Sequence, residues 1–386
     1  MYSSLGSDDM TQKKVRLKLK SSARKPLIII GTIFLVIMIV LSFYFNRIGE
    51  LKSLGYSAES AKSIIFKFKY SYAMDIGENK TLDAAFSSVD YKEENLDNYV
   101  KIGYQDQEHL IGNINKLLDK GYSVNEVNLI VSKGDDESVS AFVKRDKVKY
   151  IEEFLSIDYA KLENLDRYVE YQDKENDDVE TTVLHVNMDF DKEDYVDPIV
   201  IDDFDDYVLV NKHRQLSNLY VPDDLVTIDK EYVKVDGDIE IERNVAKAFY
   251  DMAKAAKTDG MQLMVSSGYR SYEEQEEVVN TYLKLYDQNY VDNYVAKPGF
   301  SEHQTAMSLD IASKSVNTFV NSDEYTWMMD NAYKYGFILR YPKSKEDITG
   351  YKCEAWHYRY VGKKIAKYIK DNNITYDEYY VMFLDD

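Results

Sequence analysis

The sequence predicts an α+β fold for residues 205–386, preceded by a transmembrane helix and a mainly helical region with a twofold repeat. Three observations carry this prediction. One uncharged stretch lies near the N-terminus, similar blocks recur at nearly constant spacing, and beyond residue 205 helical and strand-like patterns alternate. The chain is therefore divided into a basic tail (1–26), a membrane span (27–45), a spacer or docking region (46–204) and the α+β domain.

The span at residues 27–45 reads LIIIGTIFLVIMIVLSFYF and contains no charged residue. A helix of this length covers about 28 Å, close to the hydrocarbon thickness of a bilayer. A buried core helix would normally keep a polar face, which this segment lacks. A cleaved signal peptide is the main alternative, but no A-x-A-like cleavage site follows. The pattern favours an uncleaved anchor.

The distribution of charge predicts the orientation of this anchor. Residues 1–47 carry a net charge of +6 and the remaining 339 residues carry −26. Because positive flanks stay in the cytoplasm, we expect a cytoplasmic N-terminus and residues 46–386 outside the membrane.

The acidic balance argues against a nucleic-acid partner, since phosphate binding needs clustered Lys and Arg. The single cysteine, Cys353, rules out an intramolecular disulfide framework.

The region 46–204 contains blocks that recur in the same order, 66 to 69 residues apart. The paired blocks are 55–57 and 121–123, 90–91 and 158–159, 95–100 and 164–169, and 104–106 and 171–173. The first block of each copy ends in Ser57 or Ser123, which can cap a following amphipathic helix. The region lacks a catalytic constellation of His, Cys or Glu, so we interpret it as a spacer or docking module.

The α+β domain is predicted from local patterns. Apolar residues at helical spacing predict helices, and short alternating apolar runs predict strands. The helices are expected near 245–256, 273–285 and 324–335, and the strands at 261–265 and 307–311.

Four residues in this domain carry the chemistry. If 307–311 is a strand, Asp310 lies between apolar neighbours and needs a partner or a cation. His303 precedes it closely enough for the chain to turn back, and two imidazoles with one carboxylate are typical of a catalytic zinc site. Glu354, three residues before His357, could take a proton from a metal-bound water. From the residues alone, coincidence stays open, because a lone histidine is more often a packing or surface residue.

The motifs in this domain are similar to those of a known family. Residues from about 207 to 378 resemble the VanY-type D-alanyl-D-alanine carboxypeptidases, whose signatures are S-x-H-x-x-G-x-A-x-D and E-x-W-H. The matching segments here are 301–310 and 354–357, with supporting stretches at 267–272, 335–342 and 348–350. The resemblance implies a zinc domain like those of the VanX, hedgehog and lysostaphin-like proteins.

The resemblance also implies a role for each matching residue. His303, Asp310 and His357 are expected to bind Zn²⁺, and Glu354 to act as general base. Arg270 is expected to face the substrate, because its guanidinium can bind a carboxylate or an oxyanion with two hydrogen bonds. A structural salt bridge is the alternative for Arg270. The residues expected to line the substrate pocket are Gln275, Ser301 and Trp356.

The chain departs from the family pattern at three positions. Ala306 and Ser308 replace the usual Gly and Ala of the first signature, and Ala355 replaces a common Pro. We interpret these as packing variations, although Ala306 adds a Cβ where glycine would permit a positive φ or close packing. Cys353 is adjacent to Glu354, so in an extended segment it should face away from the metal.

The resemblance implies removal of the terminal D-alanine from peptidoglycan stem peptides outside the cytoplasmic membrane. Three alternatives stay open: an L,D-carboxypeptidase acting on stem tetrapeptides, a non-catalytic wall-binding protein, and a sensor. Glu354 argues against a pure binding protein, which needs no general base beside a metal. Residues 1–26 are too few for a cytoplasmic signalling domain, which argues against a sensor. The expected partners are the stem peptide and the membrane.

Overall fold

A computed structural model describes residues 21–201, 204 and 207–385. It divides into two compact units, Met1–Lys147 and Val148–Asp386. Residues 1–20 of the predicted basic tail lie outside the described residues. The predicted boundary between 204 and 205 stays a prediction.

The first unit is helical and begins with α1 (Ser21–Ser53). Among the described residues of the whole chain, α1 is the one helix long and apolar enough to cross a membrane, over Ile28–Ser53. None of its most apolar window is buried. The predicted apolar helix is thus confirmed and continues beyond residue 45.

Seven short α-helices follow within the described part of this unit. They are α2 (Ala58–Phe66), α3 (Tyr70–Ile76), α4 (Lys80–Ser87), α5 (Leu96–Tyr99), α6 (Leu110–Asp119), α7 (Val124–Lys133) and α8 (Asp136–Phe142). The predicted N-caps are confirmed: the Ser57 hydroxyl accepts the backbone N–H of Ser60, and Ser123 forms a capping box with Glu126. Such caps satisfy backbone donors that the first helical turn leaves free.

The second unit begins with three helices and continues into mixed helix and sheet, which confirms the α+β prediction for its C-terminal part. The helices are α9 (Ile151–Leu155), α10 (Leu165–Glu175), α11 (Val179–Asn187), α12 (Arg243–Thr258), α13 (Tyr272–Leu285), α14 (Gln288–Tyr294), α15 (Asp323–Asn331), α16 (Glu346–Thr349), α17 (Lys363–Asn372) and α18 (Tyr376–Phe383). The strands are β1 (Ile199–Ile201), β2 (Arg214–Leu216), β3 (Leu225–Thr227), β4 (Glu240–Glu242), β5 (Leu263–Ser267), β6 (Ser308–Ser313), β7 (Phe337–Leu339) and β8 (His357–Tyr360).

The central element is a four-stranded antiparallel sheet in the order β5–β6–β8–β7. The predicted strands correspond to β5 and β6, each displaced toward the C-terminus by one or two residues at its ends. The helix predicted over 324–335 is α15 followed by a 3-10 turn, Ala332–Tyr335. Gly336, with φ of 94°, ends that turn.

The two faces of this sheet have different chemistry because side chains alternate along a strand. On one face, Leu309 and Ile311 of β6 and Tyr358 of β8 pack into the main core with the apolar side of α12. The other face therefore receives Asp310 and its cross-strand partner His357. The register of two strands thus brings together two of the predicted metal ligands.

Candidate metal centre and substrate cavity

Asp310 and His357 lie directly opposite each other on β6 and β8. The Nδ1 atom of His357 lies 3.3 Å from Oδ1 of Asp310. Burial alone would raise the pKa of Asp310, but His303 and His357 hold that pKa well below its usual range. The carboxylate is therefore ionised, the form in which it can bind a metal.

His303 reaches the same point from a 3-10 turn, Glu302–Thr305, which precedes β6. Its Nδ1 atom lies 2.7 Å from the carbonyl oxygen of Gly268. A carbonyl can only accept, so Nδ1 carries the proton and Nε2 is free to bind a metal. A Cβ at Gly268 would lie 2.5 Å from the Glu240 carbonyl oxygen, so only glycine permits this backbone approach.

The three side chains fit a zinc ion. Their ligand atoms lie within 4.8 Å of one another, and Nε2 of His303 is 3.5 Å from Oδ1 of Asp310. In tetrahedral coordination with bonds of about 2.0–2.1 Å, two ligand atoms are roughly 3.3 Å apart. Asp310 Oδ1 is buried without a hydrogen-bond donor among the described residues, as expected of an oxygen that binds a cation. Three ligands leave the fourth position open for water or substrate.

Ala306 adopts a left-handed backbone conformation at the position where the family signature has glycine. It ends the 3-10 turn with φ of 58° and is fully buried. Its N–H donates to the carbonyl oxygen of His303, and its own carbonyl accepts from Glu242. The left-handed conformation costs an L-residue about 1–2 kcal/mol, but the turn that positions His303 is kept.

Glu354 lies beside the triad but is separate from it. Its Oε2 atom is 3.8 Å from Nδ1 of His357. Burial raises the pKa of Glu354 to about 7. A carboxylate with a pKa near neutrality can both accept and return a proton, which suits a general acid–base group.

Glu302 is a functional residue that the sequence analysis missed. Its fully buried carboxylate lies 3.4 Å from Nε2 of His357, the nitrogen facing away from Asp310. A carboxylate at this position holds the imidazole in the tautomer that leaves Nδ1 free for a metal. Ser308 donates to the same carboxylate at 3.0 Å, so this departure from the family pattern adds a hydrogen bond and is more than a packing variation.

Two buried arginines stabilise Glu302. Arg340 donates to it at 2.7 Å, and Arg359 lies 3.4 Å away. Burial would raise the pKa of Glu302, but the two guanidinium groups hold that pKa well below its usual range. Arg340 also donates to both oxygens of Asp377 on α18, so a chain of charges joins the metal centre to the C-terminal helix.

Arg270 is held by neutral partners. It donates to Oε1 of Gln275 at 2.8 Å and to Oγ of Ser267 at 3.0 Å. Gln275 is itself fixed, because its amide donates to the carbonyl oxygen of Ala296 at 2.7 Å. Among the described residues no carboxylate lies within ion-pair distance of Arg270, so its charge is available to an anionic ligand.

One cavity contains all of the predicted site residues. Its lining includes Arg270, Gln275, Ser301, His303, Asp310, Glu354, Trp356 and His357, together with Glu302, Tyr282, Tyr294, Tyr341 and Tyr351. Trp356 is 41% exposed, whereas Ser301 is buried and caps the 3-10 turn through its side chain. The lining residues do not include Cys353.

A family model and curated relatives that match this chain are described as carboxypeptidases. The family model described as "VanY: D-alanyl-D-alanine carboxypeptidase" matches residues 238–363. A putative carboxypeptidase of Bacillus subtilis, YodJ, is 45% identical over 180 residues, which are 45% of this chain and 66% of that protein. The bifunctional D-Ala-D-Ala dipeptidase and carboxypeptidase VanXYC of Enterococcus gallinarum is 32% identical over 179 residues, 45% of this chain and 92% of that protein.

Solved structures also match this part of the chain. The LdcB LD-carboxypeptidase is 42% identical with a TM-score of 0.44, covering 47% of this chain and 89% of that one. An E175A mutant of a VanY D,D-pentapeptidase in complex with Zn(II) is 32% identical with a TM-score of 0.39, covering 45% and 98%. The chain spans just under two thirds of the Bacillus relative and 64% of an Enterococcus faecalis D-alanyl-D-alanine carboxypeptidase.

Proposed function

The chain belongs to the VanY family of D-alanyl-D-alanine carboxypeptidases, and we propose that it is a zinc-dependent enzyme that removes the terminal D-alanine from peptidoglycan stem peptides. One observation carries the proposal. The nitrogen and oxygen atoms of His303, Asp310 and His357 converge in a cavity that also contains the buried Glu354 and the guanidinium of Arg270. A binding protein would need neither the general base nor the open coordination position.

In this mechanism His303, Asp310 and His357 hold the zinc ion. When bound, zinc lowers the pKa of a water molecule and polarises a carbonyl group. Glu354 takes a proton from the attacking water and returns it to the amine of the leaving D-alanine. Arg270 binds the terminal carboxylate of the peptide, and Gln275 keeps the guanidinium in position for it.

A product assay tests this function and its nearest alternative. The fragment 46–386 is expected to shorten a stem pentapeptide by one D-alanine, detected by mass spectrometry. A chelator should abolish the reaction and added zinc should restore it. A pentapeptide with an amidated C-terminus is the matched control, because it removes the charge that Arg270 is proposed to bind.

The outcomes separate the candidates. A stem tetrapeptide is tested in the same assay. Its cleavage, with no cleavage of the pentapeptide, would show that the enzyme is an L,D-carboxypeptidase and would contradict the proposed D,D-specificity. Binding of both peptides without any product would support the wall-binding alternative and contradict the enzyme.

We further propose that α1 anchors the protein with its N-terminus in the cytoplasm. The apolar part of α1 and the net charge of +6 on residues 1–47 support this topology. Protease added to intact protoplasts should then digest residues 46–386 and spare an epitope tag at the N-terminus. Full protection of the C-terminal domain would reverse the orientation, and absence of the N-terminal segment from the mature protein would favour a cleaved signal peptide.

The proposal for residues 46–204 is a spacer or docking module built from two related copies. A shared hydrogen-bond arrangement supports the relationship. The Tyr99 hydroxyl donates to Oδ1 of Asn115 at 2.7 Å, and the Tyr168 hydroxyl donates to Oδ1 of Asn187 at 2.7 Å. Both tyrosines are fully buried, and they occupy equivalent positions in the sequence repeat.

A further inference from the structure

We propose that four stacked tyrosines beside the catalytic cavity bind a sugar ring of the glycan strand that carries the stem peptide. These residues, the tyrosine ladder, are Tyr282, Tyr286, Tyr290 and Tyr294. The inference rests on the proposed function, because it assigns a second part of the same substrate to a second surface.

The ladder runs from the end of α13 through α14. Neighbouring ring centroids lie 5.8, 4.1 and 4.6 Å apart, with interplanar angles of 29°, 15° and 27°. The regular spacing of four residues along the chain places the rings in one continuous stack. Stacking restricts the rings, so a ligand would lose little side-chain entropy by binding them.

The ladder remains accessible to solvent. Tyr282, Tyr286 and Tyr294 are 36%, 46% and 37% exposed, and Val291 is the one buried side chain of α14. Among the described residues none of the four phenol hydroxyls has a hydrogen-bond partner. A stack that served only to stabilise the core would bury its rings, so this exposed aromatic surface indicates a binding site.

The ladder is continuous with the catalytic cavity. Tyr282 and Tyr294 line that cavity, while Tyr294 also lines an adjoining recess with Tyr286 and Tyr290. The N–H of Lys352 donates to the carbonyl oxygen of Asn293 at 3.0 Å, which ties α14 to the loop that carries Glu354. A molecule bound at the metal centre can therefore extend onto the ladder.

The chemistry of the surface favours a neutral sugar. A pyranose ring has apolar C–H groups that pack against the exposed edges of the stacked rings and hydroxyl groups that bond to phenols and amides, and tyrosine offers both contacts. The recess also contains the amides of Asn289 and Asn293. Its charged residues, Asp287 and Lys352, are one of each sign, which favours an uncharged ligand over an anionic lipid.

The test compares a free stem peptide with the same peptide attached to its disaccharide. Tyr286→Ala and Tyr290→Ala should raise KM for the disaccharide-linked peptide by about two- to tenfold, the scale of one aromatic contact. Hydrolysis of the free peptide should not change, since neither residue lines the catalytic cavity. Tyr368→Ala is the matched control, because Tyr368 is 41% exposed and also contacts two aromatic rings, edge to face, but on α17.

Equal losses on both substrates, or equal KM values of the wild type for both, would overturn the proposal.

A second measurement does not depend on hydrolysis. Calorimetry should detect binding of the peptide-free disaccharide to the wild type and to Tyr368→Ala, with weaker binding to Tyr286→Ala. If the wild type cleaves peptide but does not bind the disaccharide, the ladder is contradicted while the proposed function stands. If the wild type binds the disaccharide but cleaves no peptide, the proposed function is contradicted while the ladder stands as a sugar-binding surface.

Discussion

Replacing Glu354 by glutamine is expected to lower turnover by about 10²–10⁴-fold, the usual scale for a lost acid–base group. Glutamine keeps the shape of the side chain but cannot accept the proton. Zinc content should stay unchanged, because Glu354 is not one of the three residues whose ligand atoms converge. The measurements are kcat, KM and metal content of the purified variant.

The control for this variant is Glu324→Gln, which changes a buried carboxylate outside the cavity and should leave kcat unchanged. Arg270→Ala provides a contrast, since it should raise KM as well as lower the rate if Arg270 binds a carboxylate already present in the substrate. Wild-type turnover by Glu354→Gln, or loss of its zinc, would contradict the assigned role.

Replacing Arg340 by methionine is expected to destabilise the second unit by about 3–5 kcal/mol, the cost of breaking a buried ion pair. Arg340 is fully buried and bonds to the carboxylates of Glu302 and Asp377. Its removal leaves both carboxylates without their main cation. Urea unfolding followed by tryptophan fluorescence measures this unit, because Trp327 and Trp356 are the only tryptophans of the chain.

The loss of stability caused by Arg340→Met should become smaller as the pH falls. In the wild type the lowered pKa of Glu302 contributes stability that is present above its ordinary pKa and is lost on acidification. In the variant the buried carboxylate of Glu302 binds a proton more readily. The difference in the free energy of unfolding between the wild type and the variant therefore becomes smaller. The control is Arg243→Met, which breaks an exposed pair with Asp224 and should leave the free energy of unfolding almost unchanged. A similarly small effect for Arg340→Met would contradict the role of the buried network.

The metal ligands could be predicted from local motifs, whereas their convergence depends on the pairing of β6 with β8. Alternation along β6 separates Asp310 from Leu309 and Ile311, and the resemblance to the family identifies the two histidines. The apolar helix and the N-caps at Ser57 and Ser123 are likewise local signals.

Glu302 could not be predicted in this way, because its partners are distant in sequence. Arg340 follows β7 and Arg359 lies within β8, and only the folded sheet places both beside the carboxylate. An available signal was the acidic residue immediately before His303, within the first signature. Ser308 was misjudged for the same reason, since its hydroxyl has a role only once Glu302 is located.

Metal analysis of histidine variants tests the central claim most directly. The wild-type fragment is expected to contain one zinc ion per chain, and His303→Ala and His357→Ala should lose it. His109→Ala should retain zinc, because His109 pairs with Asp136 in the first unit, outside the centre. Full zinc occupancy in both His303→Ala and His357→Ala would contradict the assigned metal centre.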